Sequence, residues 1–190
     1  VGFLDALLGR TKPVAPNLDA LFALPSAAMT LQAASDINPT GTGSVCFRAA
    51  EGKAFSDIEK DVRDLLNMGE NTTPVQVSAD SYGFTWLVCK HSPDDIAGLV
   101  TDLHAVNSSL LDGGFGPQLL CTILSFRDPS ARRLGLVYLY KRGTFYPFAP
   151  QAGEHRDNAL ELQVRGALGD DLKIEPDLSR WFPVWGAPGL

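Results

Sequence analysis

No run of lysine and arginine longer than two residues, no two neighbouring cysteines or histidines, and no membrane-length apolar stretch occurs in this chain of 190 residues. Each absence closes a class of function. Neutralising phosphates needs a basic face, and a net charge of -6 with a pI near 5.0 points the other way, so nucleic acid is not an expected partner. Structural zinc takes closely paired ligands, whereas Cys46, Cys89, Cys121, His91, His104 and His155 are dispersed; neither metal nor cofactor is expected. The longest uncharged stretch, residues 20–35, contains Pro25, Ser26, Thr30 and Gln32 and falls short of the roughly 20 apolar residues that span a bilayer. Val1-Gly2-Phe3-Leu4-Asp5 lacks the cationic start of an export signal, and an odd number of cysteines in apolar runs reads as buried reduced thiols. The expected location is the cytoplasm, with peripheral contact at the inner face of the membrane.

What is present suits one folded domain. Hydrophobic residues make up 45% of the chain and charged residues 20%, which is ordinary globular usage. The pattern predicts an amphipathic N-terminal segment and tether over 1–16, a single α+β domain over 17–180 and an aromatic tail over 181–190. A helical pair is expected from Asn17 to a turn at Asn38-Pro39-Thr40-Gly41, with Pro25 in a first turn. Alternation predicts strands at 44–49, 75–80, 84–89, 119–127, 133–142 and 144–149, the last at an edge because of Pro147. Ser56-Asp57-Ile58-Glu59 forms a capping box before the stripe Phe55, Ile58, Val62, Leu65 and Leu66. Ser92-Pro93-Asp94-Asp95 predicts a second helix start with Ser92 as cap, and residues 157–168 a last helix with Glu161 and Arg165 as a surface pair. Hairpins outnumber strand-helix alternations. The sheet is therefore expected to be mostly antiparallel, of about five to six strands, with helices on one face.

The polar residues give no assembled chemistry. Cys89 with His91, or Cys121 with His104, are the pairs that a nucleophilic site would use, and a cleft joining all four is the alternative reading as an enzyme or small-ligand binder. Cys121 stands between Leu120 and Thr122 in a core-like strand, where a thiol is inert packing. Gly41-Thr42-Gly43-Ser44 lacks the lysine of a phosphate loop and runs into a strand. The reading is of a chain without enzymatic activity.

The two ends hold the residues with no obvious structural role. Phe3, Leu4, Leu7 and Leu8 share one side of a short helix, followed by Arg10 and Lys12. Burying each would yield about 1.5–3 kcal/mol, against about 1–2 kcal/mol for each residue ordered, so docking to lipid or protein by this segment would be weak and reversible. Trp181, Phe182 and Trp185, separated by Pro183, form either a docking peptide or a lid on the domain. Partner- or membrane-binding residues are therefore expected at Phe3, Leu4, Leu7, Leu8, Arg10, Trp181, Phe182 and Trp185. Homodimerisation through the edge strand at 144–149, with an exchanged tail, is a further possibility of the pattern.

Residues 2–10 (Gly-Phe-Leu-Asp-Ala-Leu-Leu-Gly-Arg), 114–120 (Gly-Phe-Gly-Pro-Gln-Leu-Leu), 138–148 (Tyr-Leu-Tyr-Lys-Arg-Gly-Thr-Phe-Tyr-Pro-Phe) and 180–190 resemble the PspA-associated PspAB family of high-GC Gram-positive bacteria. The resemblance implies genomic association with PspA, a coiled-coil effector of the phage-shock envelope stress response, and supplies no catalytic residues; together with the amphipathic N-terminus it leads to the expectation of a non-catalytic adaptor or regulator that binds a PspA-like coiled-coil protein. The order of helices and hairpins also resembles the YbjN and type III secretion chaperone-like folds.

Overall fold

A computed structural model describes residues 17–48 and 75–190, together with positions 56, 57, 60, 61 and 64, which are helical and exposed. The N-terminal segment with Phe3, Leu4, Leu7, Leu8 and Arg10, and the stripe behind the capping box, lie outside the described residues. Six strands form one antiparallel sheet: β1 (Asn38–Arg48), β2 (Gln76–Ala79), β3 (Phe84–Lys90), β4 (Leu119–Arg127), β5 (Arg133–Leu139) and β6 (Thr144–Phe148), in the order β2-β3-β1-β4-β5-β6. A small hairpin, β7 (Pro150–Gln151) and β8 (His155–Arg156), follows. The expected antiparallel α+β sheet of about six strands is what the chain forms.

Helices α1 (Leu24–Ser35), α2 (Ile96–Asp112) and α3 (Asn158–Ala167) pack on one face. Strand side chains alternate between faces, so Val45, Phe47, Leu87, Cys89, Leu124, Phe126, Leu136 and Tyr138 meet Leu31, Leu99, Leu103, Val106, Leu110, Leu160 and Val164 there. Gly43 lets α2 approach: a Cβ at that position would stand 2.7 Å from a Leu103 methyl. Within this core Asn107 donates to the Leu103 carbonyl (2.8 Å) and to Thr122 (3.0 Å), while the Tyr140 hydroxyl bonds Thr122 and Asn107. The polar groups of this network thereby find partners inside the core, as buried polar groups must.

Several local expectations shift. Asn38-Pro39-Thr40-Gly41 is not a turn but the start of β1, absorbed by a break in register between Pro39 and Gly43, with Gly41 at φ +78°. Helix α2 begins three residues later than its signal suggests. Ser92 to Asp95 forms a turn, and Asp95 is the cap, accepting from the Gly98 N–H at 3.0 Å. Glu161 does not pair with Arg165 at the surface. It is buried, accepting from the Ala149 N–H (2.9 Å) and from Arg156 (2.8 Å).

The β6 edge is closed within the chain. Phe145 donates to the Lys173 carbonyl and accepts from the Glu175 N–H, Pro147 has no N–H, and the Ala149 N–H is taken by Glu161. Alternation makes these the outward-facing positions. No outward donor of β6 remains for a second copy, so the dimer considered at residues 144–149 would receive no backbone donors from this strand.

Candidate functional site

Among the described residues no helix packs on the opposite face of the sheet. Residues 181–190 cross it as a strap, over Cys46, Trp86, Val88, Cys121, Ile123, Val137, Tyr146 and Phe148. Trp181 stacks on Tyr146 with ring centroids 6.1 Å apart and donates its indole N–H to the Glu175 carbonyl at 3.0 Å. Trp185 meets Phe148 edge-on at 5.0 Å. The missing side chain of Gly135 makes room for Leu190, and Gly189, at φ +86°, passes so near Ser125 that a Cβ would stand 2.7 Å from its hydroxyl.

The sheet curls around this strap. At one edge the β2–β3 turn is shaped by Asp80, which accepts from the N–H groups of Tyr82 (2.8 Å) and Phe84 (3.0 Å) and from the Trp86 indole (2.9 Å). The turn reaches across the strap to the β7–β8 hairpin beyond the other edge, where the Tyr82 hydroxyl donates to Glu154. Gly186 passes directly beneath it, within 3.7 Å of the Tyr82 ring at a Cβ's position.

Strap and sheet do not meet everywhere. Between them lies a groove of about 570 Å³. Its floor is Cys46, Cys121, Leu139 and Tyr146; Phe84 and Trp86 form one wall and Phe182 to Trp185 the other, with Arg48 and Tyr82 at the rim. Cys46 and Cys121 are directly opposed in the β1–β4 register. Contact with the Cys121 thiol, followed by burial, pushes the Cys46 thiol well up, so it is protonated and neutral. The floor is therefore apolar in character.

The sequence-predicted residues fall in different places. Trp181 is buried, Trp185 half-buried, and Phe182 58% exposed. The four residues of the alternative cleft are not brought together: Cys89 belongs to the helix-side core and Cys121 to the strap side. All three cysteines are free and buried. Burial pushes the Cys89 thiol up to about 12. His104 bonds Asp19 at 3.1 Å. His91 is held between Asp95 (2.8 Å, Nδ1) and Asp102 (2.7 Å, Nε2); burial works against its charge, but these two carboxylates outweigh it and raise its pKa above the ordinary histidine value. Its bonds tie the end of β3 to α2, a structural use. Arg48, Leu139 and Cys46 were missed as site residues, and Cys121 was foreseen only in the cleft with Cys89, His91 and His104 that does not form, since strand alternation shows a shared face but not where a cover leaves a gap.

No cluster of three or more Cys, His, Asp or Glu able to hold a metal occurs among the described residues, and none of their helices is long and apolar enough to cross a membrane. The class defined is a small α+β domain with helices on one face of a curled antiparallel sheet and a strap over a ligand-sized groove on the other. The chain matches the family of PspA associated protein B (PspAB) over residues 1–189 and belongs to it. No curated protein and no solved structure matches it, so the likeness to YbjN and secretion chaperone-like folds has no solved neighbour behind it.

Proposed function

We propose that the chain is a non-catalytic adaptor or regulator that binds a PspA-type coiled-coil protein in the envelope stress response, in the cytoplasm at the inner face of the membrane. The match along residues 1–189 to a family described as PspA-associated carries this reading. A surface suited to a helical partner adjoins the strap: Leu162 on α3 (50% exposed) and Leu178 (51%) line a cavity of about 330 Å³ with Trp181, and exposed Phe182 follows in sequence. Apolar side chains held open on a rigid surface are the anchors an amphipathic helix needs. The amphipathic residues Phe3, Leu4, Leu7 and Leu8, with Arg10, add weak membrane or partner contact.

Co-purification of the full chain with its cognate PspA tests this. Binding is expected for the unmodified chain, with a loss of tenfold or more in affinity for L162D/L178D, about 1.4 kcal/mol. Absence of binding at micromolar concentration, with and without anionic vesicles, overturns the adaptor reading.

A further inference from the structure

The groove beneath the strap has its own chemistry, independent of any protein partner. Its volume of about 570 Å³ falls in the range of small-molecule sites, roughly 300–1,000 Å³. Apolar and aromatic side chains dominate its lining. The polar atoms on several lining rings are already engaged: the Trp86 indole N–H by Asp80, the Tyr146 hydroxyl by the Phe182 carbonyl (2.8 Å), and the Tyr82 hydroxyl by Glu154. A peptide laid in the groove would bring backbone N–H and C=O groups that need partners. An alkyl chain brings none. At the rim, Arg48 is exposed and pairs with no acidic side chain among the described residues. It shares the groove face of β1 with Cys46, two positions away, so its guanidinium stands at the end of the apolar floor.

We propose that this groove binds a free single-chain amphiphile with an anionic head, of the fatty-carboxylate type, its chain lying over Cys46, Cys121 and Leu139 between Trp86 and Trp185 and its carboxylate at Arg48. Head and tail requirements are separable. The chain contributes by leaving water, so affinity rises about fourfold for each methylene until the groove is full. The head contributes at an exposed cation, which corresponds to about 1.4-fold to fivefold.

The experiment titrates the full chain with octanoate, decanoate, decan-1-ol and decyltrimethylammonium below their aggregation concentrations, following tryptophan fluorescence, since Trp86 and Trp185 line the groove. Saturable one-site binding is expected, with decanoate about fifteenfold tighter than octanoate and preferred over decan-1-ol. Arg48→Glu, a change at an exposed position, reverses the order of decanoate and decyltrimethylammonium. Leu139→Trp fills the floor and removes the response to all four. The proposal is overturned by an unsaturable response, by equal affinity for octanoate and decanoate, or by a head preference unmoved in R48E. It also falls if decanoate binds only when Leu7 and Leu8 are changed to Asp in the full chain, which makes the chain's own N-terminus the occupant.

Discussion

The two faces of the sheet are built from the same strands yet covered differently. On one face, α1, α2 and α3 present rows of Leu and Val that interlock with strand side chains, and Leu31, Val100, Leu103 and Leu110 are fully buried. On the other, an irregular strap, with Pro183 and Pro188 and turns that pass through Gly186 and Gly189, lays down an aromatic anchor where it can and bridges the rest. A helix offers a regular row of side chains, one every 1.5 Å along its axis, whereas a chain that runs through turns has no repeating face to offer. Helices close a face. A strap leaves a gap, and here the gap is the groove.

The comparison is sharpened first by thiol chemistry, which has the largest expected effect. With its pKa pushed from 9.0 to about 12, Cys89 carries roughly a thousandfold less thiolate at pH 8 than an unshifted thiol. Its alkylation should follow global unfolding in denaturant, and so should that of Cys46, whose thiol is also pushed well up, whereas Cys121 on the groove floor should react with a small neutral reagent without it. Mass spectrometry of labelled peptides reads all three, and Cys89 labelling as early as Cys121 would erase the distinction. Leu103→Ala on the helix side should cost about 2–5 kcal/mol by denaturant midpoint. Trp181→Ala should cost about 3 kcal/mol, the low end for a buried tryptophan, and expose the tail to limited proteolysis, because a cover without secondary structure can lift where a helix cannot. Equal costs, with no new cleavage, would make the strap as integral as the helices. Phe182→Ala should stay within about 0.5 kcal/mol.

The smallest effect is that of pH on the clamp at the start of α2. With its folded pKa above 6.5, His91 contributes stability that is complete below about pH 6.5 and lost as pH rises through the raised value. Asp95 behaves oppositely. Its bonds from His91 and Gly98 lower its pKa, so its contribution holds above its unfolded value and fades as pH falls through the depressed one. Unfolding curves of His91→Gln should lack the alkaline slope, and an unchanged slope would remove His91 from that role.

The sheet was largely legible because β4 and β5 are nearly continuous apolar runs, buried on both faces, and the β2–β3 hairpin is marked by Tyr82-Gly83. Asn38-Pro39-Thr40-Gly41 misled because the residues of a turn are also those of a bulge, and only pairing with β4 distinguishes them. Asp95 displaced Ser92 as cap because its carboxylate serves both Gly98 and His91, a bond that local pattern does not weigh. The opposed thiols were invisible for a simpler reason. Seventy-five positions separate Cys46 from Cys121, and strand register alone joins them.

The closed β6 edge limits how copies of this chain can pair by backbone. Among the described residues β2 has a strand neighbour on one side only, β3, while β6 has its outward donors spent. Strand addition at β2 uses up the one edge of the six-stranded sheet left among the described residues, so pairing by that edge ends at a two-fold pair and does not propagate along this sheet into a filament.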